Sequence, residues 1–321
     1  MFRWRAFLLF TLIHSPLPAD KALFQNTPSE LPWLTGSLIT PTSLTIPAGH
    51  FNIEAYFYAT FETGNYNSQW HAKPQKTFLE ITSQYWLEFG LTSWMDMEII
   101  PTFSYNHCNH TGQWVWNDLI VITDFQLSHG SFPPDAILRP AVKLTLGEIF
   151  PVGKYQHLAA NRFLTDEGGQ GSFQTFIGLA VGQLFKFSTY HYFNLRAYAQ
   201  YTIPASVHVQ GRNSYGGSSK TSGIVYPGQS MVAEIGTEYT LTKNWVFACD
   251  FVANWSKRTK FVGESGGAAI GSGSSAQFSL APAIEYNWNS QIGIISGCWF
   301  TVAGRNSTQF YSSTTALNYY Y

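Results

Sequence analysis

Apolar and polar residues alternate along most of the chain after residue 50. In the stretch 278–288, apolar residues from Phe278 to Trp288 occupy every second position, and polar or small residues from Ser279 to Asn287 lie between them. This period of two predicts β-strands with one apolar and one polar face, because a helix would give a period near 3.6. Twelve stretches have this alternating or β-prone character: 50–62, 77–91, 94–106, 114–128, 136–149, 172–186, 189–204, 229–242, 245–258, 275–288, 290–303 and 307–321.

The lengths of the strands and connections indicate a membrane barrel. Strands of about 12 to 15 residues exceed the globular norm of about 5–6 and suit a tilted membrane span. Long connections, rich in Gly and Ser and expected to be mobile outer loops, lie at 63–76, 150–171, 205–228 and 259–274. Tight turns lie at 92–93, 187–188, 243–244 and 289. The connections 107–113 and 304–306 are short for outer loops. This alternation predicts an all-β fold, a 12-stranded antiparallel up-and-down transmembrane β-barrel with short periplasmic turns.

The last predicted strand ends in Tyr319-Tyr320-Tyr321, an aromatic edge that would promote aggregation in a soluble domain. Leu317, Tyr319 and Tyr321 share one face of this strand. We expect these three residues to form the signal that the barrel assembly machinery recognises. We also expect the strand to close the barrel against 50–62.

The N-terminal segment 1–19 has the pattern of a secretory signal peptide. Arg3 and Arg5 precede an apolar run, and cleavage is expected at Ala19, with Ala22 as the alternative. A short buried helix is the other interpretation of this run. A cleaved signal would send the chain towards the bacterial outer membrane.

Residues 20–49 contain four prolines that prevent a regular strand. We expect this segment to be either a periplasmic lead-in or an insert in the lumen, with the barrel itself spanning 50–321. Apolar residues such as Trp33 and Leu38 are unsuited to a freely solvated tail. They favour a segment that narrows the lumen or its periplasmic mouth.

The composition supports the same class of protein. Charged residues are 12% and aromatic residues 17% of the 321 residues, and mean hydropathy is −0.07. Outside the N-terminus, the sequence lacks the roughly 18-residue apolar run of a transmembrane helix. A formal net charge of −1 gives no electrostatic reason to expect nucleic acid as a partner. The expected partners are the lipid bilayer with lipopolysaccharide, the barrel assembly machinery and a small-molecule permeant.

If the apolar faces contact lipid, the polar faces line the lumen, and acidic residues outnumber basic residues there. The expected lumen residues are Glu54, Glu80, Glu88, Asp96, Glu98, Asp118, Asp124, Arg139, Lys143, Arg196, Glu234, Glu238, Asp250 and Glu285, with aromatic residues that include Trp86 and Trp116. We expect Asp124 to pair with Arg139, and Asp118 with Lys143, across neighbouring strands. The charges either set cation preference or form an ion-pair network that stiffens the wall.

Candidate catalytic and metal-binding groups are few. His191 is the only histidine that the alternation places on a lipid face, but it borders a predicted inner turn, the wrong end for an outer-leaflet lipase. His107 and His110 flank Cys108 without the further ligands of a closed metal site. We therefore assign no catalytic residues, no cofactor and no metal site.

Short motifs between residues 114 and 186 resemble a known family. They are Asn117-Asp118-Leu119, Leu138-Arg139-Pro140-Ala141-Val142-Lys143, Phe150-Pro151-Val152-Gly153-Lys154 and Thr165-Asp166-Glu167-Gly168-Gly169-Gln170-Gly171-Ser172. The pattern resembles the outer-membrane transporter family named for the meta-pathway of phenol degradation; the rest of the chain matches only as a generic barrel. The resemblance implies an outer-membrane location and a transport role, and it supplies no catalytic residues.

Together these features predict an outer-membrane β-barrel that acts as a passive channel or transporter for a small molecule. One alternative is a structural or surface-interaction barrel with a filled lumen. A second alternative is a lipid-modifying outer-membrane enzyme.

Overall fold

The computed structural model describes residues 33–131 and 139–321. The predicted signal at 1–19 and residues 20–32 of the proline-rich segment lie outside the described residues. In this part of the chain, the structure contains no helix of the length and apolarity that crossing a membrane requires. The elements are β1 (Phe51–Tyr66), β2 (Ala72–Thr92), β3 (Met95–Ile100), β4 (Thr102–Cys108), β5 (Thr111–Trp116), β6 (Leu119–His129), β7 (Ala141–Phe150), a 3-10 turn (Ala160–Arg162), β8 (Gln174–Lys186), β9 (Tyr192–Pro204), β10 (Val207–Gln210), β11 (Ser222–Tyr226), β12 (Ser230–Thr240), β13 (Trp245–Ser256), β14 (Lys260–Glu264), β15 (Ser275–Asn287), β16 (Ile292–Arg305) and β17 (Ser307–Tyr320).

The main sheet closes on itself because β1 pairs with both β2 and β17. Strands β3 and β4 both pair with β2 and form one crossing that is interrupted at Pro101. Strands β5 and β6 likewise form one crossing, interrupted at Asn117 and Asp118. The described residues thus form the closed barrel of 12 antiparallel strands that the alternation predicts.

The two ends of the barrel differ in their connections. At one end, here called the turn end, short connections at 93–94, 187–191, 241–244 and 288–291 join the strands. The opposite end, the loop end, carries the long connections 151–173, 205–229 and 257–274. The predicted long–short alternation is therefore present in these parts of the chain.

The loop end differs from the prediction in two ways. The predicted 63–76 connection is mostly strand, because β1 and β2 continue to the pair Tyr66 and Ala72. The connections 205–229 and 257–274 contain β10, β11 and β14, which pair as a separate three-stranded sheet around Val207, Val209 and Val225. The Gly and Ser content concealed these short β-prone stretches. We call residues 151–173, 205–229 and 257–274 the cap.

The alternating faces point as predicted in most strands. In β15, Ser279, Ala281 and Glu285 are fully buried, whereas Ile284 between them is 47% exposed on the outer surface. An apolar outer face is what a barrel needs in order to contact lipid.

The C-terminal strand closes the barrel as expected. The Tyr321 amide donates to the Phe51 carbonyl oxygen, and the Phe51 amide donates to that of Tyr321, both at 2.9 Å. Leu317, Tyr319 and Tyr321 point outward with 39–61% of their surface exposed. The outer face of β17 therefore presents the three residues of the predicted assembly signal, whose role stays a prediction.

Candidate functional site: the barrel lumen

Residues 33–47, here called the lumen segment, lie inside the barrel against inward-facing side chains. The segment belongs to no strand, so its backbone amides need other acceptors. These are supplied by the barrel wall. The amides of Thr35, Ile39, Thr40, Thr45 and Ile46 donate to Glu285, Asp250, Asp250, Gln126 and Asp96, respectively, at 2.6–3.2 Å. Residues 20–49 were expected to be either a periplasmic lead-in or an insert in the lumen. The contacts of residues 33–47 are those of a lumen insert.

The lumen segment also packs closely against the wall. Leu38 is fully buried among apolar residues that include Tyr56, Ala281 and Ile295. The wall carries Gly236 where the segment approaches, and a Cβ there would lie 2.8 Å from the Cβ of Thr40, which cannot rotate away. A side chain at this position would therefore displace the segment.

A buried lysine contacts a cluster of three carboxylates near the turn end and offsets part of their negative charge. The Lys143 Nζ lies 2.5 Å from Asp124 Oδ2 and 3.7 Å from Glu98 Oε1, and each of the three side chains is at most 5% exposed. Carboxylate oxygens of Asp96, Glu98 and Asp124 lie within 4.8 Å of one another. This group has the oxygen ligands that a divalent cation prefers, but Lys143 already supplies its positive charge. The proximity of these carboxylates could not be predicted from the sequence, because it depends on the pairing register of β3 and β6, which places Asp96 opposite Asp124.

The predicted partners of Asp124 and Lys143 were wrong. Strand β7 begins at Ala141, after Arg139, and its register with β6, which includes a bulge between Gln126 and Ser128, places Gln126 opposite Lys143 and Asp124 opposite Thr145. Lys143 is therefore the diagonal neighbour of Asp124. Arg139 precedes β7 and is exposed.

Asp118 and Trp116 do not line the lumen as expected. The break between β5 and β6 reverses the alternation, so Trp116 points outward with 68% exposure. Asp118 lies in the break and accepts the amide hydrogens of Gly153 at 2.9 Å and Gln170 at 2.8 Å. Its role is to hold the cap against the barrel wall.

Three of the four motifs that carry the family resemblance, 117–119, 150–154 and 165–172, meet at this point of the cap, whereas the described part of the fourth, 139–143, lies at the turn end. Lys154 Nζ lies 2.6 Å from Asp166 Oδ2. Burial opposes ionisation of Asp166, but the hydrogen bonds from Lys154 and the Ala159 amide outweigh it and lower the pKa of this carboxyl. Burial raises the pKa of the adjacent Glu167 to about 7.

A cavity of about 1070 Å³ occupies the lumen beside the lumen segment. It extends from Ser290 and Tyr321 at the turn end to Thr60 and Asn117 in the loop-end half. The charged side chains that line it are Glu54, Glu80, Glu88, Glu98, Asp124, Arg139, Lys143, Arg196 and Glu234.

The remaining predicted lumen residues are buried without lining this cavity. Asp96, Asp250 and Glu285 accept hydrogen bonds from the lumen segment. Glu238 accepts a hydrogen bond from Arg196, with Nη2 and Oε2 2.9 Å apart. The barrel wall therefore uses part of its acidic face to hold the segment and part to line the cavity.

The histidine candidates have structural contacts. The His191 ring stacks on Tyr239, and its Nδ1 lies 3.1 Å from the Thr240 carbonyl oxygen. These are the contacts of a packed side chain, whereas a lipase needs a Ser–His pair. Asn109 and His110 form the two-residue turn between β4 and β5, with positive φ angles of 49° and 67°.

No family model matches the chain, and no curated protein matches it. Among solved structures, the chain is similar to an outer membrane channel from Pseudomonas putida F1, with a TM-score of 0.64 and 11% identity over 86% of this chain and 97% of that one. The chain has the fold of an outer-membrane β-barrel. The beta domain of the Bordetella autotransporter BrkA (TM-score 0.45, 9% identity, 84% and 98% covered) and the transport unit of the autotransporter AIDA-I from Escherichia coli (0.42, 11%, 88% and 94%) also match. These matches do not confirm the family that the cap motifs resemble.

Proposed function

We propose that the chain is a passive channel of the bacterial outer membrane for a small molecule, with the turn end in the periplasm. The observation that carries the proposal is the lumen cavity, which runs along the barrel from the turn-end mouth to the loop-end half. In a purely structural barrel, side chains would be expected to fill this space.

The dimensions favour a narrow channel. Twelve strands lie between the 8-stranded barrels that side chains can fill and the 16-stranded or larger porins with open pores. The lumen segment and inward aromatic residues narrow the bore further. Tyr56 and Tyr58, for example, stack with ring centroids 5.7 Å apart.

Liposome swelling tests the proposal. Folded protein in liposomes is expected to admit small solutes at rates that fall with solute size. The control is the same protein added in its unfolded form. Swelling no faster than in this control, for the smallest solute, would contradict a channel.

The second candidate function is a surface-interaction barrel. It is supported by the ordered cap, in which β10, β11 and β14 form a sheet of their own. If swelling is absent and the cap is required for attachment to another surface, this alternative replaces the channel.

A further inference from the structure

Four glutamates that line the lumen cavity form no ion pair with a described cation. Glu54, Glu80, Glu88 and Glu234 take part in none of the ion pairs among the described residues. Two cations of the lumen are already engaged, since Lys143 contacts Asp124 and Glu98, and Arg196 contacts Glu238. Arg139 is exposed. Carboxylates in a narrow lumen without a counter-charge are costly, and an entering cation would relieve that cost.

An aromatic residue lies beside two of these glutamates, Glu54 and Glu234. Trp86 lies directly opposite Glu54 across the β1–β2 pair. Tyr198 lies directly opposite Glu234 across the β9–β12 pair. All four residues line the same cavity. Because β12 is five positions from β1 in the closed order of 12 strands, the two carboxylate–aromatic pairs lie on opposite sides of the barrel.

Two residues that line the cavity each have a buried carboxylate oxygen without a hydrogen-bond partner among the described residues. Glu98 is 4% exposed, lines the cavity and has a carboxylate oxygen, Oε2, without a hydrogen-bond partner. Oε2 of Glu234 is likewise buried without a partner. Buried polar atoms in native proteins usually have partners, so these oxygens mark positions where a donor is expected.

We infer that the lumen cavity binds an organic cation, in the class of alkyl or aromatic amines. Carboxylates supply the charge, and aromatic faces attract weakly hydrated cations. The cavity volume of about 1070 Å³ is that of a site for an organic molecule rather than for a single metal ion. This inference rests on the proposed channel function, because the cation would be the permeant.

Calorimetric titration of the folded barrel in a non-ionic detergent tests the inference without requiring conduction. The probes are benzylammonium, whose N–H groups can donate to the unpartnered oxygens, and benzenesulfonate, which is similar in size and opposite in charge. The cation is expected to bind at least about 10-fold more tightly, which corresponds to one carboxylate or cation–π contact of about 1.4 kcal/mol. Equal binding of the two probes, or no binding of the cation, would overturn the inference.

Variants locate the site. Glu54→Gln combined with Glu234→Gln keeps the side-chain shapes and is expected to weaken cation binding at least about 10-fold. The matched control is Glu264→Gln, since Glu264 is exposed on β14, and it should bind as the unmodified protein does. Unchanged binding by the double variant would place the cation elsewhere and contradict the assignment. If the double variant does not fold, the comparison of the two probes still decides.

Planar-bilayer recording in parallel separates this inference from the proposed function. Conduction without preferential cation binding would refute the inference and retain the channel. Cation binding without conduction would retain the site and refute the channel.

Discussion

Replacing Lys143 with methionine is expected to destabilise the barrel strongly. Lys143 is the positive charge in direct contact with Asp124 and Glu98, and its side chain is 3% exposed. Methionine keeps much of the side-chain volume but removes the charge. The two carboxylates, with Asp96 beside them, would then be buried without compensation.

The expected decrease in the free energy of unfolding follows from the burial of the Lys143 ion pairs. Removing one member of a buried ion pair costs about 3–5 kcal/mol, whereas removing a charge from an exposed pair costs about 0–1 kcal/mol. We place Lys143→Met in the first range because both acidic partners are at most 5% exposed. Adding Asp124→Asn to this variant should recover part of the loss, since one of the uncompensated charges is then removed.

Urea unfolding in detergent, followed by tryptophan fluorescence and by heat-modifiable mobility, measures the change in the free energy of unfolding. Lys260→Met is the matched control, because Lys260 is exposed on β14. Calcium should restore stability to the single variant Lys143→Met. The reason is that carboxylate oxygens of Asp96, Glu98 and Asp124 lie within 4.8 Å of one another and could bind the ion. If Lys143→Met lowers the free energy of unfolding by less than about 1 kcal/mol, as the control is expected to do, the buried-pair account is refuted.

Three further predictions concern other parts of the chain. Deleting residues 33–46 should raise single-channel conductance, because the lumen segment occupies part of the bore; unchanged conductance in a folded variant would count against a constriction. The pKa of Glu167 is about 7 in the folded state, above the ordinary value of 4.5, so its stabilising contribution is complete below about pH 4.5 and is lost as the pH rises through about 7. Protease cleavage of 151–173, corrected for protease activity, should therefore be slower at pH 5 than at pH 8. Glu167→Gln should abolish this difference. If the difference persists in the variant, the Glu167 carboxyl is not the group responsible for it. Deleting 319–321 should sharply reduce heat-modifiable folded protein in the outer membrane, and normal levels would refute an assembly role.

The strands and their faces were predictable because a period of two reports the burial of each position directly. The twelve crossings and the closure by β17 follow from that pattern. Interruptions limited the prediction. The break at Asn117 and Asp118 reverses the alternation, so Trp116 and Asp118 were assigned to the wrong surroundings.

The candidate site was predictable in composition but not in pairing. Inward acidic residues could be counted from the alternation, but β7 begins at Ala141, so Arg139 lies outside the ladder and Lys143 is the partner of Asp124. The lumen segment shows the same limit. Its prolines excluded a strand, yet its hydrogen bonds to Asp250 and Glu285 join residues more than 200 positions apart.

Single-channel recording of the folded protein in a planar bilayer, across a potassium chloride gradient, tests the channel most directly. The cavity lining has six acidic side chains against three basic ones. We therefore predict discrete conductance steps with a reversal potential displaced towards that of potassium. Folded, inserted protein that gives no conductance steps would contradict a channel, and a reversal potential displaced towards that of chloride would contradict the negative lumen.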